Sequence, residues 1–269
     1  MATRDTAKRY VARGSAASPA APREWRLHQD GAASGPRNMA LDHALAETLE
    51  DGVAVLRLYE WTEPTVSLGR NEPGRELWGA GSLRHAAFRF VRRPTGGRAV
   101  LHRAELTYAA VLPERAFGGP RAAYAAVNEA LVEGLRLLGI GVTLAGASPA
   151  LRPDAGPCFD APAEGEVTVD GGKLVGSAQA RLHGALLQHG AILIEDDQTA
   201  LGPTSAARPL RGLLESVTVP DVRDAVEEGF RKRFTEARWR QADHDVRALE
   251  AADRWASDRY DDDRWTWRR

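Results

Sequence analysis

One cysteine, Cys158, stands in a chain of 269 residues. A lone thiol excludes an intramolecular disulfide framework, and no cysteine or histidine spacing resembles a zinc site. Any apolar run long enough to span a membrane is missing, and the first residues lack the apolar core of a secretory signal. A reducing cytoplasm is the simplest compartment for such a chain. Excess charge is missing too: 36 basic side chains against 37 acidic ones leave a formal charge of -1, so no global field points to nucleic acid or to an anionic membrane. There is no internal repeat. No Gly-Lys-Ser/Thr phosphate loop is found, and "VGSAQ" around Ser177 is not the Gly-x-Ser-x-Gly elbow of a serine hydrolase.

What is present is enough apolar matter for a sizeable core: 43% of the residues are hydrophobic and 27% charged. Residues 1–22 are basic, rich in alanine and serine, and nearly devoid of large apolar groups, so they read as a disordered extension. A transit peptide has a similar look, but Asp5 counts against it. Residues 23–269 read as a single domain. "EWRLHQD", "VAVLRLYEW", "TVSLGR", "AAFRFVRR", "AVLH" and "ELTYAAVLP" have strand character. "GPRNMALDHALAETLEDG" and "AAYAAVNEALVEGLRLLG" have helical stripes, the second with Val127, Leu131 and Leu138 on one side. An irregular, proline-dense stretch around Cys158 reads as loop, followed by a strand meander whose first turn, "DGG", suits positive φ. Two further helical segments lie near the end. Strands in the middle with helices interspersed predict an α+β sheet domain.

Several motifs carry possible chemistry. "RRPTGGRAVLH" sets Arg92 and Arg93 before two glycines, Gly96 and Gly97; the arginines could hold a phosphate or carboxylate, or simply form a solvated pair beside a hairpin. Cys158, between Pro157 and Phe159, is either inert packing or a nucleophile that needs a cation beside it. Lys173 is the candidate cation, because the hairpin after Asp170 can fold it back toward the loop; otherwise it is an exposed strand lysine. His189 in "LLQHGAIL" and His102 after the glycines each read as a base or as a hydrogen-bonded core histidine.

Taken together, "NMALDHAL", "TVSLGRNEP", "RRPTGGRAVLH", "ELTYA", "GKLVGSAQAR", "ALLQHGAILI" and the terminal "RYDDDRWTWRR" resemble, in order, the lipoate-protein ligase and octanoyltransferase family. The resemblance implies an α+β fold with a mixed sheet flanked by helices, shared with biotin-protein ligases and class II synthetases. "PCFDAP" followed by "GGKLVGSAQ" is similar to the octanoyltransferase branch with its nucleophile in this loop. That implies Cys158 as nucleophile and Lys173 as the lysine that binds the acyl carbonyl. The substrate-binding residues it implies are Arg93, Gly96, Gly97, His102, Val175, Gly176, Ser177 and His189, with Val175 in an acyl channel and the Gly96 and Gly97 N–H groups as oxyanion donors. Octanoyl-acyl carrier protein would be the donor. Lipoyl domains, such as the glycine cleavage H protein and the acyltransferase subunits of 2-oxoacid dehydrogenases, would be the acceptors, and no cofactor, metal, nucleic acid or membrane is implied. The alternatives are an ATP-dependent lipoate ligase, an octanoyl amidotransferase between lipoyl domains, and a non-catalytic paralogue. Arg98 stands where many ligases have a third glycine, Arg103 where an aspartate commonly follows the histidine, and His43 at an often acidic position.

Overall fold

The computed structural model describes residues 21–79, 88–146, 159, 161–202 and 206–269. Cys158 lies outside the described residues, as does the expected disordered extension apart from Ala21 and Pro22. The strands are β1 (Glu24–Ala33), β2 (Val53–Trp61), β3 (Thr65–Leu68), β4 (Arg89–Arg92), β5 (Val100–His102), β6 (Glu105–Pro113), β7 (Thr143–Leu144), β8 (Val167–Val169), β9 (Gly172–Lys173), β10 (Val175–Leu182), β11 (Ala185–Leu193) and β12 (Arg238–Gln241). The helices are α1 (Gly35–Glu47), α2 (Gly74–Trp78), α3 (Pro120–Arg136), α4 (Val219–Arg233), α5 (Val246–Trp255), which runs on as a π-turn over Ala256–Tyr260, and α6 (Asp263–Thr266).

A six-stranded mixed sheet in the order β10-β11-β6-β2-β1-β12 forms the frame. β1 runs parallel to both neighbours, and the remaining pairs are antiparallel. Both faces are covered, which explains why β2 and β6 read as nearly unbroken apolar runs rather than alternating ones. Successive residues still part: Ala54, Leu56 and Leu58 join Val127, Leu131, Val222 and Val226 under α3 and α4. Val55 and Tyr59 turn the other way, to Leu45 and Ala248 of α1 and α5. Two three-stranded sheets, β4-β3-β5 and β7-β8-β9, lie beside this frame.

Local chemistry sets the element ends. Ser34 caps α1 by accepting from the Arg37 N–H, with a proline in the first turn, and Thr218 and Asp221 form a reciprocal capping box at α4. Such caps contribute about 1 kcal/mol each. α3 and α4 approach so closely that a Cβ on Gly229 would lie 2.3 Å from the Gly134 nitrogen. At the far edge, fully buried Trp25 stacks on Phe234 at 4.8 Å and on Trp239 at 5.3 Å, which ties β1, α4 and β12 together. The expected Asp-Gly turn is present, with φ of 48° at Asp170 and 74° at Gly171. No helix among the described residues is long and apolar enough to cross a membrane.

Candidate active site

A pocket opens where the small sheet β4-β3-β5 faces the β10-β11 end of the large one. Met39 of α1 and Tyr59, Trp61 and Thr107 of the large sheet line one side. Ser67, Arg93, Gly97, Val100 and His102 line another, and Gly176–Ala178 with His189–Ala191 close the third.

The loop between β4 and β5 is held by arginine. Arg93 donates to the carbonyls of Ser67 (2.7 Å), Gly96 (2.8 Å) and Arg98 (2.8 Å). Arg92, fully buried, donates to the carbonyls of Gly69 (2.6 Å), Glu72 (2.8 Å) and Thr266 (2.9 Å). The reading of this pair as solvated is therefore corrected: both arginines are buried and their guanidiniums brace backbone carbonyls. The C-terminal segment completes the brace, since Trp265 Nε1 donates to the Arg92 carbonyl at 2.8 Å. Glycine is required at two points here. Gly97 has φ of 85°, and a Cβ on Gly69 would meet the Gly97 carbonyl oxygen at 1.8 Å.

Two carboxylate–imidazole–hydroxyl chains enter the pocket wall. In the first, Asp42 accepts from His189 Nδ1 at 2.8 Å, and His189 Nε2 meets Thr95 Oγ1 at 2.7 Å. Asp42 also accepts from Arg57 at 2.7 Å and Tyr59 at 2.9 Å. Burial alone would raise the Asp42 carboxyl, but His189 and Arg57 hold it below its ordinary range. Burial lowers His189, outweighing Asp42, so the ring is neutral. In the second chain, His102 Nδ1 meets Glu105 Oε1 at 2.6 Å and Nε2 meets Ser67 Oγ at 2.7 Å, with the ring stacked on Trp61 at 3.9 Å.

Lys173 is not an exposed strand lysine. It is 2% exposed, its Nζ donates to Glu166 Oε1 at 2.8 Å, and it sits 5.0 Å from the centre of the Phe159 ring. Glu166 is fixed in turn by the Ala163 N–H at 2.8 Å. Gly176 makes room for this arrangement, because a Cβ there would lie 2.7 Å from the Phe159 ring and 3.4 Å from Lys173 Cε. Phe159 follows Cys158 directly in the chain, so the ammonium is packed against the residue next to the thiol in sequence.

Of the expected substrate-binding residues, Arg93, Gly97, His102, Gly176, Ser177 and His189 all line this pocket. Gly96 does not line it; its carbonyl serves Arg93. Val175 is corrected: it pairs with Ile192, and both side chains point to the helix-covered face and join the main core, away from the pocket. Ser177 Oγ bonds the Tyr108 hydroxyl at 2.7 Å. Arg103 pairs with Asp196, and His43 lies buried against Trp255 with Nδ1 2.9 Å from the Tyr260 hydroxyl. Sequence reasoning missed Asp42, Ser67, Thr95, Glu105 and Glu166. Of these, the His102–Glu105 spacing and the acidic Asp42 on an apolar helix face were visible signals.

Residues 34–231 match the family of lipoyl protein ligase A/B catalytic domains. Curated relatives include the octanoyltransferase LipM of Kyrpidia tusciae, 39% identical over 237 residues, covering 79% of this chain and 86% of that one. The octanoyltransferase LipM of Halalkalibacterium halodurans is 31% identical over 274 residues, covering 91% of this chain and 99% of the relative. Among solved structures, a lipoate-protein ligase A bound with ATP superimposes with a TM-score of 0.77 at 21% identity, over 91% of this chain and 98% of that one. A bi-partite lipoate protein ligase of Thermoplasma acidophilum gives 0.72 at 20% identity, over 91% and 96%. The likeness to these structures is one of fold.

Proposed function

The chain belongs to the lipoyl protein ligase A/B catalytic domain family, and on that premise we propose that it is an octanoyltransferase of protein lipoylation. It takes an octanoyl group from octanoyl-acyl carrier protein onto the Cys158 sulfur and passes it to a lysine of a lipoyl domain. A thioester donor is already activated, so the transfer needs no nucleotide. Thiolate attack forms the acyl-enzyme, and the Lys173 ammonium stabilises both the thiolate and the oxyanion of the tetrahedral intermediate. The pocket takes the acyl chain, whose burial contributes about 0.8 kcal/mol per methylene.

One observation carries this reading: a buried, ion-paired ammonium lies against Phe159, one residue from the sole thiol, and beside Gly176 of the pocket wall. A lysine held inside a fold at the cost of desolvation has a use for its charge there. Glu166 holds that charge in place at 2.8 Å. The test is transfer to a purified lipoyl domain, followed by its mass. Octanoyl-acyl carrier protein alone should modify the domain; free octanoate or lipoate with ATP and magnesium should not. Modification from the free acid with ATP, undiminished in Cys158→Ala, would make the protein a ligase.

A further inference from the structure

The wall of the pocket holds two imidazoles, each between a carboxylate and a hydroxyl, and their surroundings differ. Asp42 is fully buried but its charge is matched by Arg57, and it accepts from Tyr59 and His189 as well. Burial disfavours an imidazolium at His189 and Arg93 repels it, against the support that Asp42 gives. Glu105 is different. Among the described residues its ion-pair partner is His102, and its Oε2 is buried with no hydrogen-bond partner. A cation formed on His102 would be the one that matches this carboxylate.

The hydrogen bonds also set which nitrogen of His102 is bare. Glu105 Oε1 is a carboxylate oxygen and only accepts, so His102 Nδ1 is the ring nitrogen that donates to it, and in the neutral ring the Ser67 hydroxyl, which also accepts from Arg93 Nη1 at 3.1 Å, donates to Nε2, 2.7 Å away. Nε2 therefore carries the lone pair, and the ring proton is on Nδ1, toward Glu105 Oε1. Stacking on Trp61 fixes the ring plane, and the Trp61–Thr107–Glu105 bonds of 2.8 and 2.6 Å fix the carboxylate. A lone-pair nitrogen with a carboxylate behind it and a hydroxyl before it, at the pocket wall, forms the arrangement of a general base.

We propose that His102 is the general base of the second half-reaction, taking at Nε2 a proton from the acceptor amine as that amine attacks the acyl-enzyme. This rests on the octanoyl-transfer reading above. The amine nitrogen bonds to the thioester carbonyl carbon and the carbon–sulfur bond breaks, so the octanoyl group becomes an amide. The sulfur leaves as a thiolate, and the surplus proton of the nitrogen passes to Nε2, which releases it to solvent. Amine plus thioester thus gives amide plus thiolate and a proton, with no further reactant. Ser67 yields its place on Nε2 to the amine, and Glu105 balances the imidazolium. The charged groups that face His102 are Glu105 and, through Ser67, Arg93; the titratable ring of His189 lies across the pocket.

The half-reactions separate this role from others. Octanoyl-acyl carrier protein is used to charge wild type and His102→Gln, and each charged enzyme is then mixed with a lipoyl domain or with hydroxylamine. For His102→Gln, charging should stay within about tenfold of wild type while transfer to the lipoyl domain slows by at least ~100-fold. Hydroxylamine, which attacks as a free base at neutral pH, should discharge both enzymes at similar rates. Transfer at the wild-type rate would overturn the proposal, as would charging, transfer and hydroxylamine discharge all falling together. If His102→Gln does not fold, Glu105→Gln is judged by the same split: slowed transfer with charging retained supports the role, and unchanged transfer overturns it. A wild-type enzyme that takes up no acyl group would instead remove the octanoyl-transfer reading, and this inference with it.

Discussion

Lys173 and Glu166 are bound to each other's fate. Removing the cation leaves a carboxylate 6% exposed with its N–H contact to Ala163 but no counter-charge, a loss of about 3–5 kcal/mol for a buried pair. Lys173→Met should therefore lower Tm by roughly 10 °C and slow acyl-enzyme formation by at least ~100-fold. The double variant Lys173→Met/Glu166→Gln should regain most of the Tm and none of the rate; single-turnover charging followed by mass, beside thermal melts, decides it. A rate restored along with stability would return Lys173 to a structural role. Lys173 is legible in the sequence through the Asp-Gly turn before it, because that turn has a local signature. Glu166 has none: its contact with Lys173 is made by the fold of β8 onto β9. The His102–Glu105 contact depends on a turn in which Ala104 takes φ of 51°, which an alanine does not advertise. Val175 misleads for the opposite reason: the strand is recognisable, but nothing local says which side of it faces the pocket.

The elements that can be read are those buried on both faces or bounded by turn residues. β2 and β6 span the stretches expected of them, since a nearly unbroken apolar run between turns leaves little freedom. β12 is unexpected: its four residues are half-buried or exposed at a sheet edge, and only pairing with β1 makes them a strand. Short α2 likewise has too few residues for a period. The close crossing of α3 and α4 is an element-scale property that can be tested. On a free helix face, Gly229→Ala would stabilise by about 1 kcal/mol through propensity. Here the new Cβ meets the Ala130 carbonyl oxygen at 2.4 Å and the Gly134 nitrogen at 2.3 Å, backbone atoms that cannot swing away. Overpacking costs about 1–3 kcal/mol and should win, so Gly229→Ala lowers Tm while the folded enzyme keeps its half-reaction rates. A raised Tm would mean that the helices are not in such close contact.

Across the whole molecule, acid should loosen the fold before it titrates most carboxylates. Burial holds the His28 pKa at about 4 and that of His43 at about 3, against an ordinary 6.5. Both rings are neutral in the folded state, so as pH falls below about 6.5 the unfolded chain takes up protons that the folded chain does not. Stability is complete above that value and declines down to pH 4 and below; a pKa displaced by one pH unit corresponds to about 1.4 kcal/mol. His28 stacks on His244 at 4.3 Å with Nδ1 lacking a hydrogen-bond partner among the described residues, so His28→Phe should flatten the fall in Tm between pH 7 and pH 4. An unchanged slope would contradict the neutral, buried ring. At this scale too, the chain places its single thiol next in sequence to Phe159, whose ring packs on a buried ammonium and on Gly176 of the pocket that gathers six of the expected binding residues. Charging with octanoyl-acyl carrier protein, without nucleotide, followed by intact mass and peptide mapping, tests the central claim most directly. The account predicts one octanoyl group on Cys158, removable by hydroxylamine, passed on to a lipoyl domain, and absent in Cys158→Ala. An octanoyl group on another residue, or full transfer by Cys158→Ala, would contradict it.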